Sequence, residues 1–155
     1  MWKGKINLTM EIRYFKSKDA KAVSDLYYEL HPIEERAAKK QGLVIPLQRS
    51  GIKSLLFVAE NRKKIVGFIL SHLISYGDFK YGSIDEFFVK KESRGKGIGT
   101  AFLKRTISEL KKLKPNVILV GTEKSNKDAI RLYKKVGFEV GKRSLWLYWS
   151  PKKIT

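Results

Sequence analysis

Apolar and polar positions along the chain fall into blocks with a period of two and blocks with a helical period. Residues 10–15 (Met-Glu-Ile-Arg-Tyr-Phe) roughly alternate, which predicts a strand. Ala20, Val23, Leu26, Tyr27 and Leu30 recur at helical spacing; Asp19 is placed to cap that helix and His31-Pro32 to end or redirect it. Residues 33–54 are charged and broken by Gly42, Pro46 and Gly51, a pattern of one or two short helices around a mobile loop. Residues 55–60 and 65–70 read as strands joined by the polar turn Asn61-Arg62-Lys63-Lys64, and residues 83–89 as another strand rich in aromatic and β-branched side chains. A helix opened by residues 94–99 carries Ile98, Phe102, Leu103, Ile107, Leu110 and Leu113 on its apolar face and stops at Pro115. Residues 117–120 form a short continuous apolar strand of the kind buried on both sides. Ala129, Leu132, Tyr133 and Val136 mark another helix closed by Gly137, and residues from Phe138 through Trp149 a final strand or hairpin. The order β-α-(α)-β-β-β-α-β-α-β is that of an α/β domain with a mixed sheet.

The length, 155 residues, suits one domain, expected to run from Met10 to the end. A second methionine stands just before the first strand, so residues 1–9 read as an extension from an upstream start. The complete lack of cysteine excludes disulfides, thiolate metal sites and a cysteine nucleophile. The two histidines, His31 and His72, are too few for a His-rich metal site and speak against a Ser-His-Asp triad; both are taken as structural, and no metal is expected. No apolar run approaches the roughly 18 residues of a membrane span, and the N-terminal apolar stretch is too short for a signal peptide, so a cytoplasmic protein without a membrane partner is expected. Lys and Arg number 33 against 15 Asp and Glu, a net charge of +18 that draws polyanions: nucleic acid, anionic membrane or a phosphorylated ligand. The cations are dispersed along the chain and resemble a solvated surface more than a single binding stripe. Lys/Ile-rich, Cys-free composition is also similar to that of thermophile proteins, which would account for the charge without a partner.

The chemistry concentrates in Arg94-Gly95-Lys96-Gly97-Ile98-Gly99, where a strand runs into a glycine-rich turn and then a helix. Such a turn lets backbone approach a phosphate closely, the first helical N–H groups point at it, and the helix dipole favours an anion. Arg94 and Lys96 add two cations. Two common phosphate loops do not fit: Gly99 is followed by Thr100-Ala101 where a P-loop has Lys and Ser/Thr, and Thr100 stands where the dinucleotide fingerprint needs glycine.

The pattern Arg94-x-x-Gly97-x-Gly99 resembles the pyrophosphate loop of the GNAT superfamily of acyl-CoA N-acetyltransferases. A second block, Asn126-x-x-Ala129-x-x-Leu132-Tyr133-x-x-x-Gly137-Phe138, is similar to the Asn…Ala…Leu-Tyr…Gly-Phe helix of the same family, in the right order and one helix and one strand further on. The resemblance covers Met10 to about Trp149. It implies a single-domain GNAT-like fold in which a mixed central sheet with a V-shaped splay is flanked by helices. It also implies acetyl-CoA as co-substrate and transfer of its acetyl group to an amine by direct attack, the amine being a small molecule, a protein α-amine or a lysine. By the same resemblance the loop Arg94, Gly95, Lys96, Gly97, Ile98 and Gly99 would hold the pyrophosphate. The backbone of Phe87, Phe88 and Val89 would pair with the pantetheine amides, and Asn126 would contact the pantetheine arm, an N-cap role for Ser125 or Asn126 being compatible. Tyr133 would protonate the leaving thiolate, although it also lies on an apolar helix face.

Many relatives carry a glutamate on the strand before the Asn-containing helix; the corresponding position here is Gly121. The replacement bases are Asp85 and Glu86, in a stretch similar to the Glu-Asp-Phe-Phe-Val of spermidine/spermine acetyltransferases. Strand alternation would send the two to opposite faces, and either acid has as its plainer role a salt bridge to the many cations. Tyr27, Tyr28 and Glu29 lie on the first helix, which in the family helps form the acceptor site. Helix packing is the simpler role for Tyr27. Leu145, Leu147 and Trp149 on one face of a terminal strand, with Trp146 and Tyr148 on the other, suggest a homodimer, as many relatives pair through terminal strands. The alternative to the enzyme is an RNA- or ribosome-binding module on a GNAT-like scaffold with little or no catalysis.

Overall fold

In the computed structural model the described residues are 9–31 and 51–141. The reading of residues 33–54 as short helices around a loop lies outside them as far as residue 50, and residues 52–54 prove to belong to a strand. The reading of 1–9 as an extension lies outside them but for Thr9, and that of the apolar stretch 144–149 behind the dimer lies outside them wholly.

Five strands form one mixed sheet in the order β1-β2-β3-β4-β5. They are β1 (Met10–Tyr14), β2 (Ile52–Asn61), β3 (Lys64–Tyr76), β4 (Phe79–Val89) and β5 (Val117–Val120). The first four are antiparallel neighbours, and β5 lies parallel to β4. The helices are α1 (Ala20–Leu30), α2 (Ile98–Lys112) and α3 (Lys127–Lys135). The strands β2, β3 and β4 each run several residues beyond their most apolar stretch, because ladder hydrogen bonds carry the pairing past the buried part.

Each sheet face has its own core. On one face α1 buries Val23 and Leu26 against Leu56, Val58, Phe68, Leu70 and Phe88. On the other, α2 buries Ile98, Phe102, Leu103 and Leu110 against Phe57, Ile69, Leu73, Ile84 and Val89, with Leu132, Tyr133, Val136 and Phe138 packed around them. At about 25 cal/mol per Å² of apolar surface, these two layers provide the main drive to fold.

Three expectations change. Asp19 does stand immediately before α1, but its carboxylate caps nothing there: it accepts two hydrogen bonds from the Arg13 guanidinium (2.7 and 2.9 Å) and one from the Lys16 N–H (2.8 Å). The strand β5 is not buried on both sides. Its Ile118 and Val120 pack on the α2 core, while Val117 and Leu119 are 40% and 43% exposed, since α1 packs on β3 and β4 and does not reach this edge strand. Residues 138–141 carry no strand, and the rest of the predicted final strand lies outside the described residues.

Arg13 also bonds Glu60, joining β1, β2 and the entry to α1 through one cation. The Asp19 side chain is 4% exposed and Arg13 11%, so removing Asp19 strips two charge-assisted hydrogen bonds from a buried guanidinium and leaves Glu60 as its carboxylate partner. Asp19→Ala is therefore expected to lower unfolding free energy by about 1.5–3 kcal/mol, read as a shift in urea midpoint. The hydrogen bond from Arg13 holds the Asp19 carboxyl below its usual range, against burial, which raises it. A depressed carboxyl contributes stability that is complete above the unfolded value of about 3.9 and lost as pH falls through the folded one. Wild type should accordingly lose more stability than Asp19→Ala on acidification below about pH 4.

Candidate active site

The site is built where the sheet opens. Pairing between β4 and β5 runs from Tyr81–Val117 to Ile84–Val120 and ends there, while β4 continues to Val89. From Asp85 onward the outer edge of β4 has no partner strand among the described residues, leaving a wedge between the two strands.

The opening coincides with a bulge. Leu70 pairs with Glu86 and Ser71 with Ile84, so Asp85 is an extra residue on β4. A bulge bends its strand and increases its twist, which carries β4 away from β5. It also overturns the alternation expected for Asp85 and Glu86. Directly opposed residues share a face; Leu70 belongs to the α1 core, so Glu86 faces α1, whereas Ile84 belongs to the α2 core. Asp85, between them, also turns to the α1 face and bonds His72 of β3. Both carboxylates thus stand side by side on one face.

Neither makes a salt bridge to Lys or Arg among the described residues. Glu86 Oε2 lies 2.8 Å from His31 Nε2, and Asp85 Oδ2 is hydrogen-bonded to His72 Nδ1. Ser83 Oγ donates to Asp85 Oδ1 at 2.6 Å. Burial raises the Asp85 carboxyl, and the bonds from His72 and Ser83 outweigh it, holding the group below its ordinary value. The two histidines assigned a structural role are therefore the partners of the two candidate bases. Nothing in the sequence separates them from ordinary core histidines: His72 reaches Asp85 only through strand register, and His31 reaches Glu86 only because α1 ends over β4.

Beyond Glu86, Phe87 faces α2, edge to face with Phe102 at 6.0 Å, and Phe88 and Val89 are buried. The chain then makes a short turn of 3-10 helix (Lys91–Ser93) into the glycine loop. Gly97, the residue preceding α2, has φ +80°, and a Cβ built on it would meet no atom within 4 Å. Its left-handed backbone, not crowding, is what calls for glycine. Gly99 is required for a different reason: a Cβ there would lie 3.1 Å from Leu132 Cδ2 and 3.3 Å from Phe87 Cζ, so it lets α2, α3 and β4 converge. The first intrahelical bond of α2 is Ala101 N–H to Gly97 C=O at 3.0 Å, which leaves the N–H groups of Ile98, Gly99 and Thr100 for another acceptor. Arg94 is braced at the end of β4, its Nε donating to Val89 C=O at 2.8 Å and its guanidinium lying over Phe88. Lys96 Nζ reaches the Glu92 carbonyl at 3.2 Å.

Across the wedge, Asn126 caps α3, its Oδ1 accepting from the Ala129 N–H at 3.1 Å. The helix ends in a paired turn: the Phe138 N–H bonds the Tyr133 carbonyl and the Gly137 N–H the Lys134 carbonyl, with Gly137 at φ +102°. The apolar contact of that cap is Phe138 against Tyr133, ring centroids 6.0 Å apart. The spacing Tyr-x-x-x-Gly-Phe is thus the chemistry of a helix C-terminus that fixes the Tyr133 ring. Burial pushes the Tyr133 phenol up, so it stays protonated at neutral pH. Tyr133 packs with the α2 core, on the sheet face opposite Asp85 and Glu86.

Gly121, just past β5, is exposed and brings no acid to the wedge. Tyr27 packs on the α1 core, edge to face with Tyr28 and 4.6 Å from the His31 ring, while Glu29 is exposed. Among the described residues no cluster of His, Asp and Glu is arranged to hold a metal.

A family model for the acetyltransferase (GNAT) family matches residues 20–138. An uncharacterised N-acetyltransferase of Methanocaldococcus jannaschii is 35% identical over 86 residues, 54% of this chain; the chain spans 38% of that relative's length. A second one from the same organism is 33% identical over 130 residues, covering 83% of this chain and 78% of the relative. Among solved structures, a protein described as a transcriptional regulator from Bacillus halodurans C-125 superposes with a TM-score of 0.72 at 22% identity, covering 90% of this chain and 99% of that one, and shows the shared fold.

Proposed function

The chain belongs to the GNAT family of acetyltransferases, and from that membership we propose that it transfers the acetyl group of acetyl-CoA to an amine by direct attack. The observation that carries the reading is the wedge beyond Ile84 and Val120, with two carboxylates on one sheet face and a protonated tyrosine on the other. An incoming ammonium needs a base and a departing thiolate needs an acid beside the same thioester, and this arrangement offers groups suited to both.

The residues present fit the co-substrate. The N–H groups that open α2, beside Gly97 and the cations Arg94 and Lys96, suit a pyrophosphate, which the loop from Gly95 to Gly99 would hold. The unpaired edge of β4 at Phe87, Phe88 and Val89 suits the pantetheine amides, and Asn126, whose Oδ1 is taken by the cap, retains its Nδ2 for the same arm. Acetyl-CoA supplies an activated acetyl thioester. In the transfer, an ammonium N–H bond breaks and its proton passes to a carboxylate on the α1 face. The nitrogen electron pair then forms a bond to the acetyl carbon, the C–S bond breaks with its pair on sulfur, and the Tyr133 hydroxyl protonates the thiolate; a second N–H bond breaks as the amide forms, and its proton replaces the one Tyr133 gave. Tyr27, Tyr28 and Glu29 border the acceptor's approach on the α1 side. No specific observation favours the RNA-binding alternative.

The test is thiol release from acetyl-CoA by purified protein with n-butylamine, an α-amino acid, a peptide with a free N-terminus and a lysine-containing peptide blocked at its α-amine. Amine-dependent CoA release with at least one of them is expected. No release with any, together with no acetyl-CoA binding by calorimetry, would overturn the reading.

A further inference from the structure

The two carboxylates at the wedge are adjacent, yet their hydrogen bonding is unequal. Both oxygens of Asp85 are engaged, Oδ2 by His72 Nδ1 and Oδ1 by Ser83 Oγ. Glu86 accepts only at Oε2, from His31, and its Oε1 accepts no hydrogen bond among the described residues. A carboxylate with both oxygens accepting is stabilised as the anion and is a poor proton acceptor; one with an open oxygen is a better one.

The state of His72 follows from its other nitrogen. Nε2 is buried without a hydrogen-bond partner among the described residues, and the side chain is 12% exposed. Protonation there would bury a charged N–H with nothing to accept it, which costs more than a buried lone pair. Of the two ring tautomers, the one with its proton on Nδ1 donates to Asp85 and leaves only a lone pair at Nε2, so it is the one that fits this contact. The other titratable groups that face this spot among the described residues are Tyr81 on β4, which feels the Asp85 charge, and the His31–Glu86 pair where α1 ends. Among the described residues no lysine or arginine offsets Asp85.

We propose that His72 is a positioning residue that separates the tasks of the two carboxylates: by donating from Nδ1 it keeps Asp85 ionised to hold the cationic acceptor, and Glu86 takes the acceptor's proton. This rests on the acetyl-transfer reading and deepens it at the same site. The sequence leaves Asp85 and Glu86 equivalent; the bulge puts them on one face and their partners make them differ. Two protons leave the nitrogen: one N–H bond of the ammonium breaks before attack, its pair staying on nitrogen and its proton taken up at Glu86 Oε1, and a second breaks as the amide forms, its proton replacing the one Tyr133 gives to the thiolate.

Two measurements decide it. The 15N-histidine spectrum of the free protein near neutral pH should show His72 neutral with its proton on Nδ1; an imidazolium or a proton on Nε2 overturns the proposal. Steady-state kinetics with acetyl-CoA and n-butylamine give the second readout. Asp85→Asn and His72→Leu should raise the amine KM about 10-fold or more with kcat little changed, and Glu86→Gln should lower kcat about 10²-fold with KM little changed. His72→Asn, which keeps an N–H donor where Nδ1 stands, should restore most of the KM lost in His72→Leu. A larger kcat loss in Asp85→Asn than in Glu86→Gln overturns the proposal and leaves the acetyl-transfer reading intact. Wild type without CoA release from any amine of the panel defeats that reading instead, and the spectrum still judges His72.

Discussion

Gly97→Val is expected to raise the dissociation constant for acetyl-CoA about 100-fold, equivalent to about 2.7 kcal/mol, without unfolding the domain. The residue has φ +80°, where a side chain on L-backbone costs roughly 1–2 kcal/mol and a β-branched one more. A Cβ there meets open space, so the strain has no packing to oppose relaxation. The loop relieves it by turning Gly97 out of the left-handed region, which re-aims the N–H groups that open α2. The loss therefore falls on anion binding, while Ile98 and Phe102 keep α2 on the core. Calorimetry with acetyl-CoA and a urea melt separate the two effects. Unchanged affinity would mean that this loop is not the phosphate cradle. Gly99→Val is the informative companion, since its Cβ strikes Leu132 and Phe87 and should disturb α3 as well.

Tyr133→Phe should lower turnover about 10²-fold with acetyl-CoA affinity little changed. The ring is held by the C-terminal cap of α3 and by Phe138, contacts that phenylalanine retains, so the variant removes a hydroxyl and little else. The hydroxyl accepts and donates no hydrogen bond among the described residues, and burial keeps it protonated. A leaving thiolate with a thiol pKa of about 8.5 and a phenol of about 10 or above are matched closely enough for proton transfer as the C–S bond breaks. Unchanged turnover would reduce Tyr133 to a packing residue. A loss confined to KM would assign it to binding.

Much of the architecture was legible along the chain. The helical spacing of Ile98, Phe102, Leu103 and Leu110, the alternation near Met10, and the apolar run at Val117 each reflect a local periodicity that survives any tertiary arrangement. The glycine loop and the Tyr-x-x-x-Gly-Phe block were legible for the same reason, since left-handed turns and helix caps draw on residues close in sequence. Asp19 was misjudged because its partner, Arg13, sits on the neighbouring strand and competes better for the carboxylate than the free N–H groups of α1. The exposure of Val117 and Leu119 was hidden for a related reason: an apolar run does not say how far the covering helix reaches.

By itself, then, the sequence determined the elements, the phosphate-type loop and the identity of the acids, because those depend on contacts within a few residues. Tertiary structure alone decided where the acids stand and what they bond. One extra residue at Asp85, visible only in the register Leu70–Glu86 and Ser71–Ile84, opens the sheet and turns both carboxylates to the same face. That register brings His72 to Asp85 across 13 positions of chain, and the end of α1 brings His31 to Glu86 across 55. Strand pairing has a period of two, so a shift of a single residue exchanges the faces, and no composition or local spacing along one strand records it.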